Sequence, residues 1–154
     1  MPGPRENLFA AVVAQLEKIR VENGYDSDVG RVYRVDMLFD QIPDGAFPAL
    51  EVLEPIGGES MAAMDDGGYL CRVSMTIAGL VKAGTADLTS SDRHTLANAL
   101  LGDAIRALMQ DVSFGAKCKE SAISAPIVYV DPDRPEAMFN LTLTCIYAYA
   151  RVDL

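Results

Sequence analysis

Residues 138–152, which read MFNLTLTCIYAYARV, decide the fold class of this 154-residue chain. Within residues 139–145 apolar and polar side chains alternate, a pattern typical of a β-strand with one buried and one wet face. From Ile146 onward the strand is apolar on both faces, and such a strand must be covered twice. Its residues would extend about 50 Å, whereas a folded chain of this length is about 40 Å across. We therefore predict a long strand that either bends or reaches beyond the core of its own subunit.

Two explanations account for the two-sided apolar half of this strand, and the sequence favours neither. In the first, a neighbouring subunit supplies the second cover. The interface residues predicted on that basis are Ile146, Tyr147, Tyr149 and Arg151. The tyrosines would anchor the contact because a tyrosine combines a large contact area with a polar tip, and Arg151 would lie at the rim. In the second explanation the strand is central and is buried within one chain.

Hydrophobic periodicity predicts two helices and five strands. The predicted helices cover residues 5–22 and 92–112, and the predicted strands cover residues 29–35, 47–54, 69–81, 123–130 and 138–152. The strands follow one another in hairpin-like runs rather than in strict alternation with helices, which favours an α+β fold. We predict a single domain, residues 1–154. It contains a mainly antiparallel five-stranded sheet with two helices packed on one face, in the order α-β-β-β-α-β-β.

Charge is distributed unevenly along the chain. Half of the residues are apolar and 23% are charged, which is typical of a folded domain. The net charge is −9, and residues 26–66 hold ten acids against only Arg31 and Arg34. Tight nucleic-acid binding depends on lysines and arginines, so this balance disfavours it. Four of the acids form a predicted acidic face: Asp40, Asp44, Asp65 and Asp66. Solubility alone would also explain such a face.

No motif in the sequence carries a recognisable chemistry. Residues 79–85 have the length of a phosphate loop but lack its lysine, and residues 26–30 begin like a calcium loop that lacks the closing glutamate. His94 is the only histidine and has no nucleophile motif near it. The three cysteines are widely spaced, and we expect free thiols. We therefore predict no catalytic residue, no cofactor and no metal site, and we predict that the protein is not an enzyme.

The sequence contains no membrane-spanning or secretory signal that we recognise. No apolar run approaches the ~18 residues that a membrane-spanning helix needs. The N-terminus, MPGPRE, has no basic segment leading into an apolar one. We expect the chain to be made in the cytosol and to have no membrane partner.

Residues 55–68, PIGGESMAAMDDGG, form a predicted long loop. Loops of this length are uncommon in compact domains and are often functional. Two glycine pairs bracket it, and its methionines are adaptable side chains suited to an interface. The residues predicted to contact a partner are Ile56, Met61, Met64, Asp65 and Asp66. An alternative interpretation makes the loop a lid in a small ligand-binding or enzymatic α+β domain.

Three segments resemble tail terminator proteins of long-tailed bacteriophages, which belong to the tail-completion and neck proteins. Residues 19–32, IRVENGYDSDVGRV, are similar to the helix end, Asn-Gly-Tyr, Ser-Asp-Val-Gly turn and strand near the start of those proteins. Residues 47–52, FPALEV, and residues 139–143, FNLTL, are similar to a later strand and to their final long strand. Ser27 stands where threonine is more usual in that family. The order of elements is shared over residues 5–154.

This resemblance implies a structural virion protein rather than a catalyst. Six copies would form a ring that caps the finished tail tube, stops its polymerisation and offers a surface to the head-tail connector or stopper protein. The implied partners are therefore the chain itself, the tail tube protein and the connector, with the 55–68 loop contacting the tube or connector. DNA would pass through the lumen without tight binding. The implied localisation is the tail or neck of the virion, after assembly in the host cytoplasm.

Overall fold

The computed structural model describes residues 2–55, 59–82, 90–131 and 133–150. The helices in these ranges are α1 (Pro4–Leu16) and α2 (Ser90–Gln110). The strands are β1 (Arg31–Tyr33), β2 (Ala49–Leu53), β3 (Ser60–Ala63), β4 (Tyr69–Lys82), β5 (Glu120–Val130) and β6 (Glu136–Tyr149). Short 3-10 turns lie at Val21–Asn23, Phe39–Gln41 and Asp44–Ala46.

The strands form one mixed sheet. Along its main path the order is β1-β2-β4-β6-β5, and β3 pairs with β4 beside that path. β1 and β2 are parallel, and the other pairs are antiparallel. The predicted α+β class is confirmed. The five-stranded sheet and the order α-β-β-β-α-β-β were wrong in detail. A sixth strand, β3, follows β2 in the chain, and one pair of strands is parallel.

β3 lies inside the stretch predicted as a loop, residues 55–68. Ser60 is opposite Arg72 and Ala63 is opposite Tyr69, in an antiparallel register. The segment Ser-Met-Ala-Ala has no β-branched or aromatic residue, so its composition gives no strand signal. Gly67, with a left-handed φ of +85°, lies in the turn that joins β3 to β4. The segment is extended because it pairs with the start of β4, and only the paired structure reveals it.

β4 and β6 are the central pair of the sheet. Their register runs from Tyr69 opposite Tyr149 to Lys82 opposite Glu136. On its other edge β6 pairs with β5. The long final strand is therefore flanked by two strands of its own chain. For its core-facing side chains the second explanation, a central strand within one subunit, is correct.

Both helices pack on the same face of the sheet, as predicted. The main core lies between the helices and the sheet, and its fully buried members include Phe9, Leu50, Met75, Leu100, Phe139 and Leu143. On the opposite face a smaller cluster contains Tyr33, Ile42, Ala49 and Leu80, and residues 36–47 cover it. The rest of that second face, over β4, β6 and β5, is called the open face below.

α1 ends at Leu16 rather than at residue 22. Ile19 is fully buried, and its carbonyl accepts a hydrogen bond from the Val29 N–H at 3.0 Å. In a continuous helix that carbonyl would accept a hydrogen bond from within the helix instead of from Val29. The helix therefore ends before Ile19, and the chain continues toward the sheet. The following 3-10 turn ends at Gly24, whose φ of +89° is the left-handed conformation that the Asn-Gly pair predicts.

Candidate functional site

The feature of the sheet most relevant to assembly is its pair of exposed outer strands. β5 is the last strand on one side, and each of its residues is half-buried or exposed. β3 lies on the other side, outside the start of β4, and all four of its residues are exposed. No described residue pairs with the outer edge of either strand. An unpaired strand edge presents N–H and C=O groups that recruit another chain.

A bulge divides the β5 edge. The register with β6 slips between Ser124 and Ile127, so Ala125 and Pro126 have no partner there. Ala125 has a left-handed φ of +51°, and a proline has no N–H to donate. Such bulges bend and twist the strand that carries them. Only the short runs on either side of the bulge, residues 120–124 and 127–130, can therefore pair with a further strand.

A cluster of charged side chains fixes the start of α1 against the ends of β1 and β2. Arg34 donates to Glu6 at 3.0 Å and to Glu54 at 2.7 Å, while Arg5 donates to the other oxygen of Glu54 at 3.3 Å. Both guanidinium groups lie over the Phe9 ring, with centroid distances of 4.8 and 4.9 Å. The cluster neutralises both arginines, so neither offers an unpaired guanidinium to a ligand.

Glu59 attaches the chain that leads into β3 to the body of the protein. One of its carboxylate oxygens accepts from Arg5 Nε, and the other accepts from the Tyr147 hydroxyl at 2.6 Å. Burial, together with the hydrogen bond to Glu59, raises the pKa of the Tyr147 hydroxyl above its usual range. Tyr147 therefore remains a protonated donor. Because Glu59 immediately precedes Ser60, this hydrogen bond fixes the position at which β3 begins.

Residues 24–28, which are part of the segment quoted for the resemblance, are anchored by α2. Asp103 is 1% exposed, and its carboxylate accepts from the Asp26 N–H at 3.2 Å and from the Ser27 N–H at 2.8 Å. Arg106 adds a hydrogen bond to the Gly24 carbonyl at 2.7 Å and lies over the Tyr25 ring. These partners lie about a half chain away in sequence, and the sequence pattern gave no sign of them.

The predicted subunit-interface residues occupy different environments. Tyr147 is 1% exposed and faces the core of its own chain, so its side chain is not available as an anchor. Ile146 is half-buried on the open face, opposite Arg72. Tyr149 is half-buried at the end of β6, edge-on to Tyr147 at 5.7 Å. Arg151 lies outside the described residues. An interface role for Ile146 and Tyr149 stays a prediction.

The residues predicted to contact the tube or connector belong to a hairpin rather than to a long loop. Met61 lies in β3 and is 56% exposed. Met64 leads into the turn between β3 and β4, which also contains exposed Asp65 and Asp66. Ile56 lies outside the described residues. Because residues 60–63 are paired with β4, the stretch does not have the structure expected of a lid, and the alternative ligand-binding function loses its main support.

The four acids of the predicted acidic face do not come together. Asp44 pairs with Lys82 at 3.0 Å at the end of β4, and Asp40 is close enough for its charge to act on the same lysine. Asp65 and Asp66 lie in the turn before the start of β4. The two ends of a 14-residue strand are separated by about 43 Å. The acids are thus two groups at opposite ends of the sheet, and their relation to DNA stays a prediction.

No arrangement of side chains in the described part of the chain is typical of a metal or redox site. No group of three or more His, Cys, Asp or Glu residues there could hold a metal ion. All three cysteines are free and buried, and a hydrogen bond that the Cys145 thiol donates to Cys118, together with burial, raises the pKa of Cys145 above its usual range. His94 is exposed on α2. Among the described residues no helix is long and apolar enough to cross a membrane.

One buried acid has an unusual environment. Glu51 on β2 is 2% exposed, and its carboxylate accepts from the Met37 N–H. Burial, with a smaller contribution from the charge of Asp36, raises the pKa of Glu51 from 4.5 to about 7, despite the opposing effect of that hydrogen bond. Between these two values the folded state binds more protons than the unfolded state, so stability falls as the pH rises.

A Glu51→Gln variant is expected to abolish this pH dependence. At pH 5 the wild-type carboxyl is protonated when folded, and the two proteins should have similar free energies of unfolding. At pH 8 the buried charge is present only in the wild type, and the variant should be more stable by about 2–3 kcal/mol. Urea unfolding of both proteins at several pH values measures the difference. Parallel stability curves for the two proteins would contradict the assignment.

Comparison with known proteins supplies a fold but no family. No family model and no curated protein matches the chain. Among solved structures, it is similar to a chain of one described as "Virion of native gene transfer agent (GTA) particle". The two chains are 17% identical, the match covers 92% of this chain and 95% of the other, and the TM-score is 0.55. The likeness shows that the two chains share a fold over nearly their whole lengths.

Proposed function

We propose that the protein is a structural virion protein, a tail terminator that closes the tail tube of a phage-like particle as a ring of six copies. The observation that carries the proposal is the shared fold over 92% of this chain and 95% of a chain from a gene transfer agent virion. The match extends over most of both chains and is not limited to one shared motif. The resemblance of residues 19–32 to tail terminators gives the finer assignment within such particles.

The physical properties of the chain agree with this role. The net charge of −9 opposes adhesion of DNA to a ring through which DNA must pass. The proposed partners are further copies of the chain, the tail tube protein and the head-tail connector or stopper protein. The ring would lie in the tail or neck of the virion after assembly in the host cytoplasm.

Assembly in solution tests the proposal. Native mass spectrometry of the purified protein should give a hexamer, or a hexamer that forms when tail tubes are added. Tail tube protein polymerising in the presence of the chain should stop at a shorter mean length, measured by electron microscopy, than tube protein alone. A chain that stays monomeric with tubes present and leaves their length distribution unchanged would contradict the function.

A further inference from the structure

The strand directions make β5 and β3 complementary as edges. β5 is antiparallel to β6, β6 is antiparallel to β4, and β4 is antiparallel to β3. Within one chain β5 and β3 therefore run in opposite directions at opposite sides of the sheet. When a second copy is placed beside β5 in the same orientation, its β3 runs antiparallel to β5. Antiparallel pairing is the more stable kind for added strands.

The two edges also meet at one level along the sheet, at the first residue of each strand. Ser60 is opposite Arg72, Arg72 is opposite Ile146, and Ile146 is opposite Glu120 at the start of β5. The other three residues of β3 are opposite Cys71, Leu70 and Tyr69 and lie beyond the start of β5, so a shift of about three residues between copies brings β3 beside residues 120–123, before the bulge. The four residues of β3 match the short run of β5 that the bulge leaves available.

Charge makes a second copy the occupant of this edge. Residues 60–63 and 121–124 contain no charged side chain, and Glu120, the one acid of the paired run, is next to Lys119, so two chains of net charge −9 can approach there with little direct repulsion. Lys117 and Lys119 are exposed just before β5, and Asp65 and Asp66 are exposed just after β3. No ion pair is formed by any of these four side chains with the described residues. In an antiparallel pair the start of one strand is opposite the end of the other, so lysines face aspartates.

We propose that residues 120–124 of β5 pair with β3 of the next copy, head to tail, with Lys117 and Lys119 opposite Asp65 and Asp66 of that copy. Strands in a closed sheet are staggered, and a stagger of about three residues between copies brings the charges into register. A contact between two different surfaces of identical chains repeats from copy to copy, and it forms a ring when the rotation between copies closes. The inference rests on the proposed function and identifies the surfaces that build its ring.

Charge reversal with mixing tests the pairing. A Lys117→Glu/Lys119→Glu variant places acids opposite acids, and an Asp65→Lys/Asp66→Lys variant places lysines opposite lysines. Each variant alone should have a dissociation constant at least about tenfold higher than the wild type at low salt, measured by native mass spectrometry and sedimentation. Mixed in equal amounts, the two variants should assemble like the wild type, because alternating copies restore opposite charges at each contact.

A matched control separates this contact from a general effect of charge. The Asp131→Lys/Asp133→Lys variant makes the same charge change as Asp65→Lys/Asp66→Lys, but beyond the far end of β5. It should leave assembly unaltered. Hydrogen exchange should show slower exchange at residues 60–63 and 121–124 in the wild-type assembly than in either variant. A wild type that assembles while both variants assemble equally well, or while their mixture stays dissociated, would overturn the inference alone. A wild type that never assembles would instead contradict the proposed ring.

Discussion

Replacement of Asp103 by alanine is expected to lower the free energy of unfolding by about 2–4 kcal/mol. The carboxylate is 1% exposed and accepts the N–H groups of Asp26 and Ser27 at 3.2 and 2.8 Å. Alanine would leave both donors without their partner and Arg106 without the nearest acid on its own helix, at 3.5 Å. Leaving polar groups unpaired in a partly buried site costs more than the loss of an exposed bond.

Chemical denaturation with a matched control measures this cost. Asp26→Ala removes an exposed carboxylate 4.0 Å from the same Arg106, with its side chain 75% exposed, and should change stability by less than about 0.5 kcal/mol. The N–H groups of Asp26 and Ser27 should also exchange with solvent faster in Asp103→Ala. Equal stabilities of the two variants would show that the anchor contributes nothing.

Much of the architecture follows from local sequence patterns, because the longest elements have the clearest periodicity. α2, β4 and β6 carry apolar side chains at helical or alternating spacing, and the sequence prediction located each of them with ends a few residues away. The α+β class followed from the order of these elements. Errors lie at α1, where the burial of Ile19 ends the helix early, and at β3, whose small residues show no pattern.

The candidate surfaces were harder to predict because they depend on the order of the strands in the sheet. The sequence indicated two-sided cover for the final strand, but the helices cover only the core face of β6, where Tyr147 lies, and its other face belongs to the open face. One of the two exposed edges belongs to β5, although its sequence is also rich in apolar residues. Nothing local distinguishes a central strand from an edge strand, since the difference resides in pairing between residues far apart in the chain.

A large loss of stability is expected from a single added methyl group at Gly79. This residue lies in β4 directly opposite Phe139 of β6. A Cβ at Gly79 would be 2.0 Å from Cε1 and 2.5 Å from Cδ1 of the Phe139 ring, which is fully buried. The ring cannot move outward without displacing the close-packed side chains around it. Gly79→Ala is therefore expected to lower the free energy of unfolding by about 3 kcal/mol or more.

Two further variants show whether the clash with the ring is the cause. Gly102→Ala adds the same methyl group in α2 where no atom lies within 4 Å, and it should raise stability by about 1 kcal/mol because alanine favours a helix over glycine. Phe139→Leu removes the ring atoms that a Cβ at Gly79 would meet. In the double variant Gly79→Ala/Phe139→Leu, the loss should be smaller than the sum of the two single losses by at least about 1 kcal/mol. Strictly additive losses, measured by urea denaturation, would mean that Gly79 is required for a reason other than contact with Phe139.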